Sequence, residues 1–120
     1  MRILAFKIPY LPPLNTAHTR RHWAVAHKER HRIDDLVLAA LPRGARSMRL
    51  QRARIRLVRH SSVEPDFENM ALGFKGLIDS LVSLGVLVDD GPRVLEREYA
   101  WEYAPRGKGQ VSVSVAEVEP

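Results

Sequence analysis

Five carboxylates gather in one stretch of the chain: Asp66, Glu68, Asp79, Asp89 and Asp90, with Asn69 and Lys75 among them. Hydrolysis of a phosphodiester needs an activated water and stabilisation of charge on the leaving oxygen. A magnesium ion supplies both when a few carboxylates hold it and leave positions open for water and phosphate. Asp66 and Glu68 are two positions apart. In extended or turn backbone their side chains project to the same side, whereas in a regular helix they diverge by about 200°. The pair is therefore expected at a helix entrance. Acids at a helix start also serve as caps and complement the dipole, so a purely structural role stays open.

Lys75 follows Glu68 by seven residues, about two helical turns and nearly the same face. One role puts its ammonium against a scissile phosphate, where a fixed positive charge lowers the barrier. The other is a surface pair with Asp79 one turn further on, worth about 0.3 kcal/mol. Asp89-Asp90 before Gly91-Pro92 is a carboxylate pair and also a good turn signal.

The charge distribution points to phosphate-bearing partners. The net charge is +5 and the calculated pI about 10.1. From Arg20 to Arg59 run Arg20, Arg21, Lys28, Arg30, Arg32, Arg43, Arg46, Arg49, Arg52, Arg54, Arg56 and Arg59, opposed by Glu29, Asp34 and Asp35. Most are arginines, whose planar fork fits phosphate oxygens. The plain alternative is a solvated basic surface. The absence of cysteine excludes disulfides, cysteine zinc sites and thiol catalysis. No apolar run is long enough to cross a bilayer, and Met1 to Tyr10 lacks the apolar region of a signal peptide.

These residues need elements to position them. Ile3 to Ile8 reads as a strand, broken by Pro9, Pro12 and Pro13. Thr16 or Thr19 is a candidate cap for a helix reaching about Leu41, with Val25, Ala26, Ile33, Leu36, Val37 and Ala40 on its apolar face. Arg49 to Arg59 alternates as a strand, with Ala53, Ile55 and Leu57 on one side and Arg52, Arg54 and Arg56 on the other. His60 to Pro65 reads as a loop. A second helix spans about Asp66 to Leu84, capped by Gly85. Val94 to Tyr103 alternates again, Pro105 to Gly109 reads as a hairpin loop, and Val111, Val113 and Val115 line a last strand. The result is one α/β domain of the α+β type over residues 1–120. Its order is β-α-β-α-β-β, with a small mixed sheet and two main helices on one face.

Taken in order, Asp66-Phe67-Glu68-Asn69, Lys75, Asp79-Ser80-Leu81, Gly85 and Asp89-Asp90 resemble the RusA family of Holliday-junction resolvases, which shows Asp-x-Asp-Asn, Lys, Asp-x-Leu, Gly and Asp-Asp. Pro12-Pro13-Leu14-Asn15 is similar to that family's Pro-Pro-x-Asn loop. The resemblance spans nearly the whole chain. It implies a magnesium-dependent endonuclease, with manganese as a substitute metal, that cuts four-way or other branched DNA. It assigns Asp66, Glu68 and Asp90 to the metal and Lys75 to the phosphate, with Asn69 and Asp89 in support. Glu68 stands where the family has its second Asp. Lys75 sits about one helical turn later than in the best-known member. Ser61-Ser62 and Pro65 replace a basic run.

The partners expected are branched DNA and a second copy of the chain, since two equivalent phosphodiesters suit an isologous dimer. Val82, Leu84, Val86, Leu87 and Val88 are candidates for that interface or for the core. No membrane and no small-molecule cofactor are expected, and the setting implied is bacterial or phage-encoded and cytoplasmic. DNA contacts are expected at Asn15, Arg20, Arg21, Lys28, Arg30, Arg32, Arg43 and Arg46, with Arg106 and Lys108 on an open loop. Arg52, Arg54 and Arg56 either bind phosphates or pair with Glu96, Glu98 and Glu102 across a strand. Trp23, Trp101 and Tyr103 either stack on bases or pack in the core. His18 and His22, and His27 and His31, are one turn apart, but the pairs face opposite sides of a helix and do not converge on a metal. A DNA-binding protein without catalysis, or a toxin-like RNase, are the rival classes.

Overall fold

The computed structural model describes residues 2–13 and 23–119, and their side chains except at 23–27 and 29. Strand β1 is Ile3–Ile8 and helix α1 Trp23–Ala40. A one-turn 3-10 helix at Ala45–Ser47 leads to β2 at Ala53–Ser61. Helix α2 is Phe67–Ser83, and β3 (Leu95–Tyr103) and β4 (Gln110–Glu117) complete the chain. This is the expected α+β order. The proposed caps Thr16 and Thr19 lie outside the described residues.

Alternation along the strands decides which side is covered. Ala53, Ile55 and Leu57 of β2, Val111, Val113 and Val115 of β4, and Leu4 and Ile8 of β1 are buried in one core. That core also takes Ile33 and Val37 from α1 and Met70, Phe74, Leu77, Ile78 and Leu81 from α2. Both helices therefore cover one face. Each fully buried Leu, Ile or Phe stabilises the fold by about 1.5–3 kcal/mol. The intervening residues Arg54, Arg56, Glu96, Glu98 and Ser114 are exposed on the uncovered face.

The strand order is β1-β4-β2-β3. β2 and β3 are parallel, joined by α2 as a crossover, whereas β4 runs antiparallel to both β2 and β1. The hairpin reading of Pro105 to Gly109 is thereby corrected. A turn is present, with Lys108 N–H donating to the Pro105 carbonyl at 3.0 Å and Gly107 at φ +86°. Yet β2 lies between β3 and β4, so the loop carries the chain past the end of β2 rather than folding it onto its neighbour. Turn residues specify a reversal, not a pairing partner. β2 also extends through His60 and Ser61, beyond the loop boundary expected there.

Helix α2 ends as expected at Gly85. This residue has φ +91°, its N–H donates to the Val82 carbonyl at 3.1 Å, and Val86 N–H donates to Leu81 at 2.9 Å. That is the Schellman pattern. The chain then turns along Leu50, which bridges Leu87 in parallel. Val86 and Leu87 are fully buried, Val82 and Leu84 pack partly buried against the core, and Val88 is exposed. The core thus takes most of the segment considered for a dimer interface.

Candidate active site and nucleic-acid interface

Asp66 is the N-cap of α2, in extended backbone at φ −63° and ψ 137°, and its side chain makes no capping hydrogen bond. The carboxylate is exposed and is not spent on its own helix. Glu68 lies within the first helical turn and is exposed as well, with Asn69 half-buried beside it. The pair thus straddles the helix entrance, one residue extended and one helical. This entrance follows directly from the C-terminal end of β2 through Ser62 to Pro65.

The Pro12-Pro13 loop reaches α2. A Cβ on Gly73 would stand 2.8 Å from the Pro12 ring, so only glycine admits the proline there. The Pro12 carbonyl accepts a hydrogen bond from Arg59 Nη1 at 2.8 Å. Asn15, the polar residue of this loop, lies outside the described residues.

Further along α2, Lys75 Nζ is 3.4 Å from Asp79 Oδ1 and 3.8 Å from Asp90 Oδ2. The surface pair expected with Asp79 exists, and the same ammonium faces the Asp89-Asp90 turn. Asp90 is held from the other side by Arg97, whose Nη2 donates to its backbone carbonyl. The Asp89 carboxylate folds toward Gly91 within the turn. Asp79 also faces Arg30 Nη1 at 3.4 Å, and Arg30 Nε reaches Asp34 at 3.3 Å. The Ser80 hydroxyl donates to Asp34. An ionic chain therefore ties Lys75 to α1.

Tyr99 packs between Phe67 and Phe74 of α2, with ring centroids at 6.2 and 5.1 Å. Burial pushes its phenol above the ordinary value, partly offset by Arg97 and Lys75. Among the described residues, no three His, Asp or Glu side chains gather closely enough to hold a metal ion. Asp66 and Glu68 offer two donors at the helix entrance while Asp90 stands beside Lys75. Within one chain these carboxylates do not form a finished metal cradle.

The basic residues divide into paired and open ones. Arg54 meets Glu96 at 3.0 Å and Arg56 meets Glu98 at 3.5 Å, as strand register dictates. Glu102 faces His60 at 3.5 Å instead of an arginine. Arg30 is engaged by Asp34 and Asp79, and Arg46 Nε donates to the Leu84 carbonyl at the end of α2. Arg32 lies over the Tyr10 ring, 5.7 Å from its centroid. Lys28, Arg32, Arg43, Arg106 and Lys108 are exposed. Arg52 lines a cleft with Arg2 and Arg49. Arg20, Arg21, His18 and His22, and the side chains of Trp23 and His27, fall outside the described residues. Trp101 is half-buried against the core and donates to Ser61 Oγ at 3.0 Å, whereas Tyr103 is 67% exposed.

Arg59 and Arg97 were not among the expected site residues. Arg59 continues the buried phase of Ala53, Ile55 and Leu57, and Arg97, although exposed, shares the phase of Leu95 and Tyr99. A charged residue on the apolar phase of an alternating strand was the available signal.

No protein-family model and no curated protein matches the chain. Among solved structures, the crystal structure of GDP-form protofilaments of Bacillus thuringiensis serovar israelensis TubZ is similar, at a TM-score of 0.49 and 9% identity. The similarity covers 94% of this chain but 24% of that chain, and carries no argument about function.

Proposed function

We propose that this chain is a magnesium-dependent endodeoxyribonuclease that cuts Holliday junctions or related branched DNA. The observation that carries this reading is the approach of Asp90 to Lys75, which brings together two parts of the acidic pattern from either side of the α2 terminus. The unspent Asp66 carboxylate at the helix entrance adds to it. When bound, magnesium, or manganese in its place, supplies an activated water and charge neutralisation. Asp66, Glu68 and Asp90 are the donors the reading assigns to it. They must be drawn together by bound DNA or by a second copy of the chain, since one chain alone leaves them apart. Lys75 is held by Asp79 and Asp90 until a phosphate competes for its ammonium. Asn69 and Asp89 orient the carboxylates beside them.

A homodimer fits the two equivalent phosphodiesters of a four-way junction. No helix among the described residues is long and apolar enough to cross a membrane. A bacterial or phage-encoded protein working in the cytoplasm fits a DNA substrate of this kind.

The test is cleavage of labelled four-way junction and matched duplex DNA, with and without magnesium, by wild type and Asp66→Asn. Junction-selective, metal-dependent nicking that the variant loses supports the proposal. Binding without cleavage by either protein, across several metals, rejects it in favour of a second reading, a DNA-binding protein without catalysis.

A further inference from the structure

Arg59 is 7% exposed, at the end of β2. It spends Nη1 on the Pro12 carbonyl. Its Nε is buried with no hydrogen-bond partner, and among the described residues no carboxylate pairs with it. Burial lowers its pKa, with Tyr10 opposing the shift, but a guanidinium keeps its proton in proteins. A buried cation with an idle donor is costly and calls for an anion.

The surroundings have room for one. Arg59 lines a cleft of about 220 Å³ with Leu11, Ser62, Val63, Arg106 and Gly107. Among the described residues no carboxylate lines it. Ser61 also borders the cleft, but its hydroxyl is already committed, donating to the Val63 carbonyl at 2.9 Å and accepting from Trp101 at 3.0 Å. Ser62 and Arg106 are exposed, so their polar groups stay open to a ligand. The remaining walls are apolar, as a sugar face requires. A free inorganic ion would leave them uncovered.

We propose that this cleft is a phosphate-binding subsite for a nucleic-acid strand. A backbone phosphate is received by the Arg59 guanidinium and by Arg106 and Ser62, while its sugar lies against Leu11 and Val63. The cleft adjoins the segment that leads from β2 into Asp66, so a strand anchored here passes the helix entrance. The inference rests on the nucleic-acid part of the proposed function and does not depend on catalysis.

The experiment uses the whole isotope-labelled chain without magnesium and follows the Arg59 Nε–H resonance by NMR. A single-stranded oligodeoxynucleotide and inorganic phosphate are titrated separately. The oligonucleotide is expected to shift that resonance saturably and slow its exchange, with inorganic phosphate acting on the same resonance more weakly. Arg106→Ala, an exposed change that keeps the fold, should weaken the oligonucleotide response roughly threefold to fivefold, the size of one exposed charge contact. An Arg59 resonance that stays put while other signals saturate overturns the proposal. A response to inorganic phosphate alone overturns it in favour of a free-phosphate site. A chain that never cuts DNA, yet shows the Arg59 response, refutes the nuclease reading and leaves this subsite standing.

Discussion

Lys75 and Asp90 lie side by side, with Nζ 3.8 Å from Oδ2, although α2 runs on past Lys75 to Ser83 and the chain must double back to bring Asp90 there. The ion pair is exposed on the lysine side, at 64%, so its contribution to stability is at most about 1 kcal/mol. On the proposed function, the weight of the pair falls on catalysis. Lys75→Met should leave the unfolding free energy within about 1 kcal/mol of wild type. Junction cleavage should fall by about 100-fold or more, as when a charge-stabilising donor is removed. Asp79→Asn takes away one of two anchors and should cost less activity than Lys75→Met. Single-turnover rates beside binding isotherms check this. Equal losses in cleavage and in DNA affinity would reduce Lys75 to a binding residue.

Gly73 sits inside α2, where alanine would ordinarily stabilise a helix by about 1 kcal/mol. Here a Cβ meets the Pro12 ring at 2.8 Å, and the Pro12 carbonyl is pinned by Arg59 on its far side. The ring cannot swing away as the end of a flexible side chain would. Gly73→Ala should therefore destabilise the protein, by about 1–3 kcal/mol, as overpacking does. Chemical denaturation checks the sign. A stabilised variant would mean that the Pro12 loop is not held against α2.

Much of this arrangement was legible because it rests on local pattern. Alternation placed β2, β3 and β4, and helical spacing placed Ile33 and Val37 on the buried side of α1. Gly85 announced its cap by its type, since few other residues accept φ +91°. Pairing was less legible. The turn at Pro105 to Lys108 carries the same residues whether the next strand joins β3 or passes it, and only the sheet order shows that β2 intervenes. The Arg54–Glu96 and Arg56–Glu98 pairs were open as one of two choices because parity was readable and register was not. The Lys75–Asp90 approach depends on how the chain returns from Gly85 along Leu50, a tertiary path without a local signature. The isolated Nε of Arg59 depends on every neighbour of that side chain at once.

The division between paired and open cations predicts the salt dependence of DNA binding. Arg54 and Arg56 are neutralised across β2 and β3 by Glu96 and Glu98. Lys28 and Arg43 are exposed, and no described carboxylate pairs with them. A cation that contacts a phosphate contributes about one to the slope of log affinity against log salt concentration. Arg43→Ala and Lys28→Ala should each lower the slope by up to about that amount. Arg54→Ala should leave it unchanged, because Arg54 brings its own counter-charge. Isotherms at several salt concentrations decide the matter. A slope that drops for Arg54 alone would place the DNA on the uncovered sheet face.

Tyr99 gives a pH signature at the alkaline end. Its ring is wedged between Phe67 and Phe74, and burial raises its pKa, with Arg97 and Lys75 in partial opposition. Below the ordinary tyrosine pKa of about 10 the phenol is neutral in both folded and unfolded chains. Above it the unfolded phenol ionises first, and this draws the equilibrium toward unfolding. Stability is therefore fully present below about pH 10 and is lost as the pH rises through the higher folded value. Tyr99→Phe keeps the ring between its aromatic neighbours and removes the titrating proton. Denaturant unfolding from neutral pH to about pH 11 should give a wild-type curve that declines more steeply than the variant's. The difference between the two curves isolates the contribution of Tyr99. Parallel curves would mean that the phenol is solvated in the folded protein, and that Phe67 does not close over it at the entrance to α2.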